Sequence, residues 1–211
     1  MPGFLTDKCI EIRNWFAIGS DVYPDSVVTG WIRMAEEYLS TALRVKHMIQ
    51  IDTATFVGNR APLPLDWQEI RLVRWLDTGG VGRYLTPDAF YNPEFPDPPD
   101  ASLTHRNRRY TILGNYLIVE DPVDPGLQVE LTYYQDIPPL TDDANNWANK
   151  YNQTVYTLKI LHIASLYAIE DERSGVWNSE LNIMINGMNA RHQIDKASGS
   201  VLTQVRRKTF G

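Results

Sequence analysis

The sequence predicts an α+β fold, a helical bundle built from N- and C-terminal helices, with a β-rich insertion, a long loop and an extended C-terminal tail. Three observations predict it. Apolar residues recur every three to four positions at both ends of the chain, and between them the period drops toward two. One stretch, Leu127 to Trp177, hands a strand directly to a helical hairpin. The implied segments are 1–48 for the N-terminal helices, 49–140 for the insertion, 141–195 for the C-terminal helices and 196–211 for the tail. At 211 residues, one compact unit with an insertion is the expected organisation.

Leu5, Cys9, Ile12 and Phe16 follow at spacings of 4, 3 and 4, a short helical face that should end near Gly19. Tyr23-Pro24-Asp25-Ser26 reads as a turn and cap. Beyond it Val28, Trp31, Ala35, Tyr38, Ala42 and Leu43 form an apolar stripe, with Arg33, Glu36, Glu37 and Thr41 off it. Gly30 inside this helix costs about 1 kcal/mol against Ala, so close packing is expected there. From Ile49 to Phe56 the residues alternate, Gly58-Asn59 turns the chain, and Trp67 to Leu76 alternate again.

Gly79 to Asn107 holds five of the 13 prolines and reads as a loop, with a short helical turn at Thr86–Tyr91. Tyr110 to Leu113, the Gly114-Asn115 turn and Tyr116 to Glu120 predict a β-hairpin. Val123-Asp124-Pro125-Gly126 then turns into a third strand, completing a meander. In that strand Leu127, Val129, Leu131 and Tyr133 share one face, and Ile137-Pro138-Pro139 stops it, because proline lacks a backbone donor. Thr141-Asp142-Asp143 suits the start of one amphipathic helix, which runs to a break near Asp171. A second helix follows, with Trp177, Leu181, Met184 and Met188 in register. From Lys196 the Ser-Gly composition ends the periodicity.

Composition narrows the function classes. A net charge of −6 argues against coating DNA, since the phosphate backbone rewards Lys and Arg. No apolar run approaches the ~20 residues of a membrane span, and the first residues lack the basic-then-apolar order of a secretory signal. A soluble intracellular product without a membrane partner is expected. Cys9 is the sole cysteine, which excludes an internal disulfide and a cysteine-based zinc site. No two of His47, His105, His162 and His192 have the His-x-x-x-His spacing of a helix-borne metal pair. The paired acids flank proline turns or helix starts, where negative charge caps and solvates. No catalytic residue, metal or cofactor is therefore expected. Tyr84, Phe90, Tyr91 and Phe95 stand out as aromatics among prolines and glycines, a composition that suits either a contact surface or local packing of the loop.

Several short motifs recur in a definite order. They are Met34-Ala35-Glu36 with Leu43-Arg44-Val45, Leu63-Pro64-Leu65-Asp66-Trp67, Tyr133-Tyr134, Pro139-Leu140, Asn146-Trp147, Tyr156 with Leu158, Asp171-Glu172-Arg173 and Trp177. In order and spacing this resembles the head–tail adaptor (connector) proteins of tailed bacteriophages, over roughly residues 26 to 185. Ala148-Asn149 stands where that family has Leu-Leu, and Asn152-Gln153 where it has Pro-Asp. The resemblance implies a structural protein of the virion neck, assembled in the host cytoplasm as a ring, usually twelve-fold. Its implied partners are neighbouring copies, the portal, and the tail or next neck protein, with DNA only passing through the channel. It also implies that the C-terminal extension docks on the portal. Val201, Leu202, Val205 and Phe210 would serve as apolar anchors and Arg206, Arg207 and Lys208 as carboxylate partners. The aromatic loop (Tyr84, Phe90, Tyr91, Phe95) and the hairpin turn Gly114-Asn115 are expected to face the tail side or the adjoining subunit. From the residues alone a glycan-binding or glycan-acting β-module with helical supports is the alternative, and a tail-completion protein is another.

Overall fold

The computed structural model describes residues 3–17, 19–76, 82–87, 109–119, 126–168 and 172–208, with backbone alone at 82–84, 86, 168 and 195–208. The α+β class is borne out. The chain divides into a helical unit, Met1–Met48 with Asp136–Gly211, and a β unit, Ile49–Gln135.

In the helical unit, α1 (Phe4–Phe16) buries Cys9 and Ile12. Asp142 serves this helix rather than a later one: its Oδ1 accepts from the Thr6 N–H at 2.8 Å and the Thr6 hydroxyl at 2.9 Å. That satisfies one of the donors a helix start leaves open. The helix ends earlier than Gly19, at Ala17, which adopts φ 54° and returns its N–H to the Arg13 and Asn14 carbonyls. α2 (Asp25–Ala42) buries Val28, Trp31, Ile32, Ala35, Glu36, Leu39 and Ser40. Its inward face is thus rotated from the expected stripe: Tyr38 is exposed and Glu36 buried. Gly30 faces open space, so the close packing expected there is absent. Asn189 closes the far end of α2, donating to the Ala42 carbonyl at 2.9 Å and accepting the Arg44 N–H at 2.8 Å.

The expected single helix after the proline turn is two. α3 (Trp147–Tyr151) and α4 (Gln153–Ala168) are separated at Asn152, whose φ of −132° and ψ of 39° are not helical. Asn146 caps α3, accepting the Asn149 N–H at 2.8 Å. α4 packs against α1, α2, α3 and α5. Its residues from Val155 to Ile163 are therefore buried almost all round, His162 being half-buried, instead of along one stripe. α5 (Ser174–Lys208) docks Trp177, Leu181 and Ile185. Its backbone stays helical through Lys196–Lys208, a segment whose Ser-Gly composition predicts an extended tail.

The β unit has seven strands in the order β1-β7-β3-β4-β5-β6-β2. They are β1 (Ile49–Thr55), β2 (Arg60–Pro62), β3 (Trp67–Leu76), β4 (Gly82–Pro87), β5 (Arg109–Leu113), β6 (Tyr116–Val119) and β7 (Gln128–Gln135). All pairings are antiparallel except the short contact of Thr86–Pro87 with Arg109–Tyr110. The β5–β6 hairpin is as expected, but the meander is not. β7 leaves β6 and inserts between β1 and β3. A strand whose Val129, Leu131, Tyr133 and Tyr134 are all buried gains more from two partners than from an edge beside its sequence neighbour. Thr86 and Pro87, expected in a helical turn, lie on β4, and the remainder of that turn falls outside the described residues. Inward side chains from both ends of the sheet, among them Phe56, Val73, Leu117, Val119 and Leu131, form one core.

Candidate functional site

Four of the motif residues, Glu36, Leu140, Asn146 and Tyr156, converge in the interior of the helical unit. Pro138 and Pro139 offer no N–H, so the donors flanking them, on Ile137 and Leu140, need partners from elsewhere. α2 supplies both, one turn apart. Ser40 Oγ accepts the Ile137 N–H at 2.9 Å, and Glu36 Oε1 accepts the Leu140 N–H at 2.9 Å. The same oxygen of Glu36 receives the Tyr156 hydroxyl at 2.7 Å and the Asn146 amide at 2.8 Å. Arg33 donates to Oε2 at 2.7 Å and to the Leu140 carbonyl at 2.8 Å. Burial, then the Glu36 charge, pushes the Tyr156 phenol well above its ordinary value, so it stays a donor. Four motif positions, Glu36, Leu140, Asn146 and Tyr156, thus clasp α2, the proline turn and α4 together.

A second buried cluster stands on α1 and α4. Lys8 donates to Glu11 at 2.7 Å and to Thr157 at 3.2 Å, and Thr157 donates to Glu11 at 3.1 Å. Each charge here has a partner, as burial requires. Burial raises the Cys9 thiol, which makes it a poor nucleophile. His162 has a buried Nδ1 with no acceptor or donor among the described residues. Its pKa is lowered by burial, then by Lys159. Lys159 is itself buried, its ammonium 3.5 Å from the centre of the Tyr38 ring. His47 stacks on Tyr151 at 4.3 Å. Among the described residues no group of three or more His, Cys, Asp or Glu could hold a metal ion, and no helix is long and apolar enough to cross a membrane.

The surface is where unsatisfied apolar area remains. Gly114 and Asn115 form the exposed hairpin turn, Gly114 at φ 59°, as the first central residue of a type II′ turn requires. Leu113 and Tyr116, immediately beside it, are both exposed. The Leu63 N–H bonds the Asn115 carbonyl at 2.9 Å, which brings Leu65, 96% exposed, to the same end of the β unit. Leu65 and Leu113 were missed in the sequence because alternation assigns apolar residues inward. Their signal is position, beside Pro64 and beside a two-residue turn. On α5, Val176, Ile183 and Ile194 are exposed. Tyr84 lies on β4, opposite Arg74. Phe90, Tyr91, Phe95 and Phe210 fall outside the described residues, and Val201, Leu202, Val205, Arg206, Arg207 and Lys208 lie on the helical backbone of α5.

A family model described as SU10 adaptor protein matches residues 6–207, nearly the whole chain. No curated protein matches.

Proposed function

The chain belongs to the SU10 adaptor protein family, an adaptor of a phage virion, and we propose that it joins head to tail as a ring. In this reading, copies associate side by side through heterologous contacts that close into a ring, of about twelve members by the family resemblance. The ring sits in the neck between the portal and the tail or next neck protein, and DNA passes through it without being bound as a ligand. The work it does is assembly.

The observation that supports this best is the exposed apolar end of the β unit, where Leu65, Leu113 and Tyr116 surround the Gly114-Asn115 turn. Exposed apolar side chains gathered at one end of the β unit mark a contact surface rather than a core. This end is our candidate for the tail side or the adjoining subunit, together with Tyr84, Phe90, Tyr91 and Phe95. The C-terminal part of α5 is our candidate for the portal, through Val201, Leu202, Val205, Arg206, Arg207, Lys208 and Phe210. Light scattering of the chain alone and mixed with portal tests the reading. A ring or a portal complex is expected, each junction between copies burying more than ~1,000 Å². A virion carrying a single copy of the chain would overturn it.

A further inference from the structure

α2 and α5 each leave an apolar face uncovered. On α2, Val27, Met34 and Tyr38 are exposed at spacings of seven and four, and Gly30 lies in line between the first two. At about 3.6 residues per turn these positions share one face, turned away from the buried Val28, Ile32, Ala35 and Leu39. On α5 the exposed Val176, Glu180, Ile183 and Gly187 line up in the same way, turned away from Trp177, Leu181 and Ile185. A Cβ added at Gly30 or at Gly187 would meet nothing within 4 Å. Glycine weakens a helix interior, yet neither glycine makes room for anything in its own chain.

A charge stands at the edge of the α2 face. Lys159 of α4 is buried, and its ammonium lies 3.5 Å from the centre of the exposed Tyr38 ring. Among the described residues no carboxylate pairs with it. A buried ammonium without a counter-ion is costly, and a carboxylate brought to Tyr38 would relieve that cost. Glu180 on the α5 face is an exposed carboxylate that also has no ion pair among the described residues.

We propose that the α2 face of one copy receives the α5 face of a second copy, with the two helices antiparallel. Glu180 then falls opposite Tyr38 and Lys159, Ile183 opposite Met34, and Gly187 opposite Gly30. The axial steps agree: ~6 Å and ~6 Å from Tyr38 to Met34 to Gly30, against ~4.5 Å and ~6 Å from Glu180 to Ile183 to Gly187. The two glycines meet where the helices cross, and without side chains their backbones approach closely. A parallel arrangement that kept Glu180 at Lys159 would leave both glycines outside the contact. The two faces lie on different helices, so the contact is heterologous and repeats from copy to copy. The choice of a second copy rests on the ring reading above, and the complementary charges of Lys159 and Glu180 select these two faces.

The test uses the full chain assembled with portal. One preparation carries Met34→Cys and another Ile183→Cys, and the unsubstituted chain, whose Cys9 is buried, serves as control. Under mild oxidation a disulfide-linked dimer is expected on mixing the two and from neither alone. Gly30→Leu, or Gly187→Leu on the other face, fills space that its own chain leaves open. Its melting temperature should hold or rise while association weakens at least tenfold. Glu180→Gln should weaken association about tenfold, the scale of one lost charge-assisted hydrogen bond, and no further in a chain that already carries Lys159→Met. Dimers from either cysteine preparation alone mean that like faces meet, which overturns the proposal. No linkage on mixing, or normal assembly of both leucine variants, overturns it as well. Light scattering of the same samples keeps the two readings apart. A ring without cross-links leaves the ring and removes this helix contact, whereas no oligomer, alone or with portal, removes both.

Discussion

Glu36 gathers donors from three separate parts of the helical unit, Arg33 beside it, Leu140 and Asn146 in the connector, and Tyr156 on α4. Removing that carboxylate leaves the buried Leu140 N–H, Asn146 amide and Tyr156 hydroxyl without it, whereas Arg33 is partly exposed and keeps the Leu140 carbonyl. Glu36→Ala is expected to cost about 3–5 kcal/mol, since each buried donor left without its acceptor costs about 1–3 kcal/mol. Tyr156→Phe removes one hydrogen bond to a charged group and should cost about 1.5–3 kcal/mol. Urea denaturation monitored by tryptophan fluorescence measures both, and equal losses in the two variants would contradict the shared-acceptor geometry. The tyrosines also set an alkaline limit. Burial, then the Asp66 charge, pushes Tyr133 from 10.0 up to about 12, and Tyr156 is raised as well. A phenol whose folded pKa exceeds its unfolded one stabilises fully below the unfolded value. Stability should therefore hold to about pH 10 and fall toward pH 12, and Tyr133→Phe should shallow that fall. His162 works in the opposite direction: its pKa is lowered from 6.5, so its contribution is present above 6.5 and lost as pH drops below. None of this was legible from periodicity alone. Glu36 carries a charge, and a charge on a helix is ordinarily solvated. The clue is that Ile32, Glu36, Leu39, Ser40 and Leu43 continue one three-four spacing through two polar positions.

Among the elements, the helices of the sequence were legible and their junctions were not. α2 and the two strands of the hairpin stand where periodicity puts them, because each is patterned by its own side chains. β7 pairs with β1 and β3, partners distant in the chain, and nothing local encodes that choice. The break at Asn152 and the adoption of Asp142 by α1 are likewise decided by groups far away in sequence. Asp142→Ala should therefore destabilise by about 1 kcal/mol, as loss of an N-terminal cap does, although Asp142 lies outside the helix it serves. The hairpin permits a cleaner separation of stability from assembly. Leu113 and Tyr116 are exposed, so Leu113→Ser with Tyr116→Ser should change stability by no more than about 0.5 kcal/mol per site. The same pair of changes is expected to abolish oligomers in light scattering. A variant that melts early, or that assembles normally, would remove the hairpin end from the interface.

At the scale of the whole molecule, the long last helix alters how the C-terminus can reach a partner. As an extended tail, residues 196–208 would advance about 45 Å, but as helix they advance about 20 Å. A helix also presents its partner with a stiff surface that loses less conformational entropy on docking than a flexible tail does. Its root is firm, since Trp177, Leu181 and Ile185 are buried well before the segment begins. Gly199 inside it weakens the helix by about 1 kcal/mol relative to Ala. That gives a test with a sign. Gly199→Ala should favour the docking-ready helix and tighten portal binding, whereas a segment that must unfold to bind would bind less tightly after the same change. Truncation after Lys196 supplies the second arm. It leaves the buried Trp177, Leu181, Ile185 and His192 of α5 in place, so the melting transition should be unchanged while binding to portal in a DNA-free mixture is lost. Retained binding would exclude the end of α5 from the portal contact. Binding lost only when DNA is also present would instead assign Arg206, Arg207 and Lys208 to the phosphate backbone.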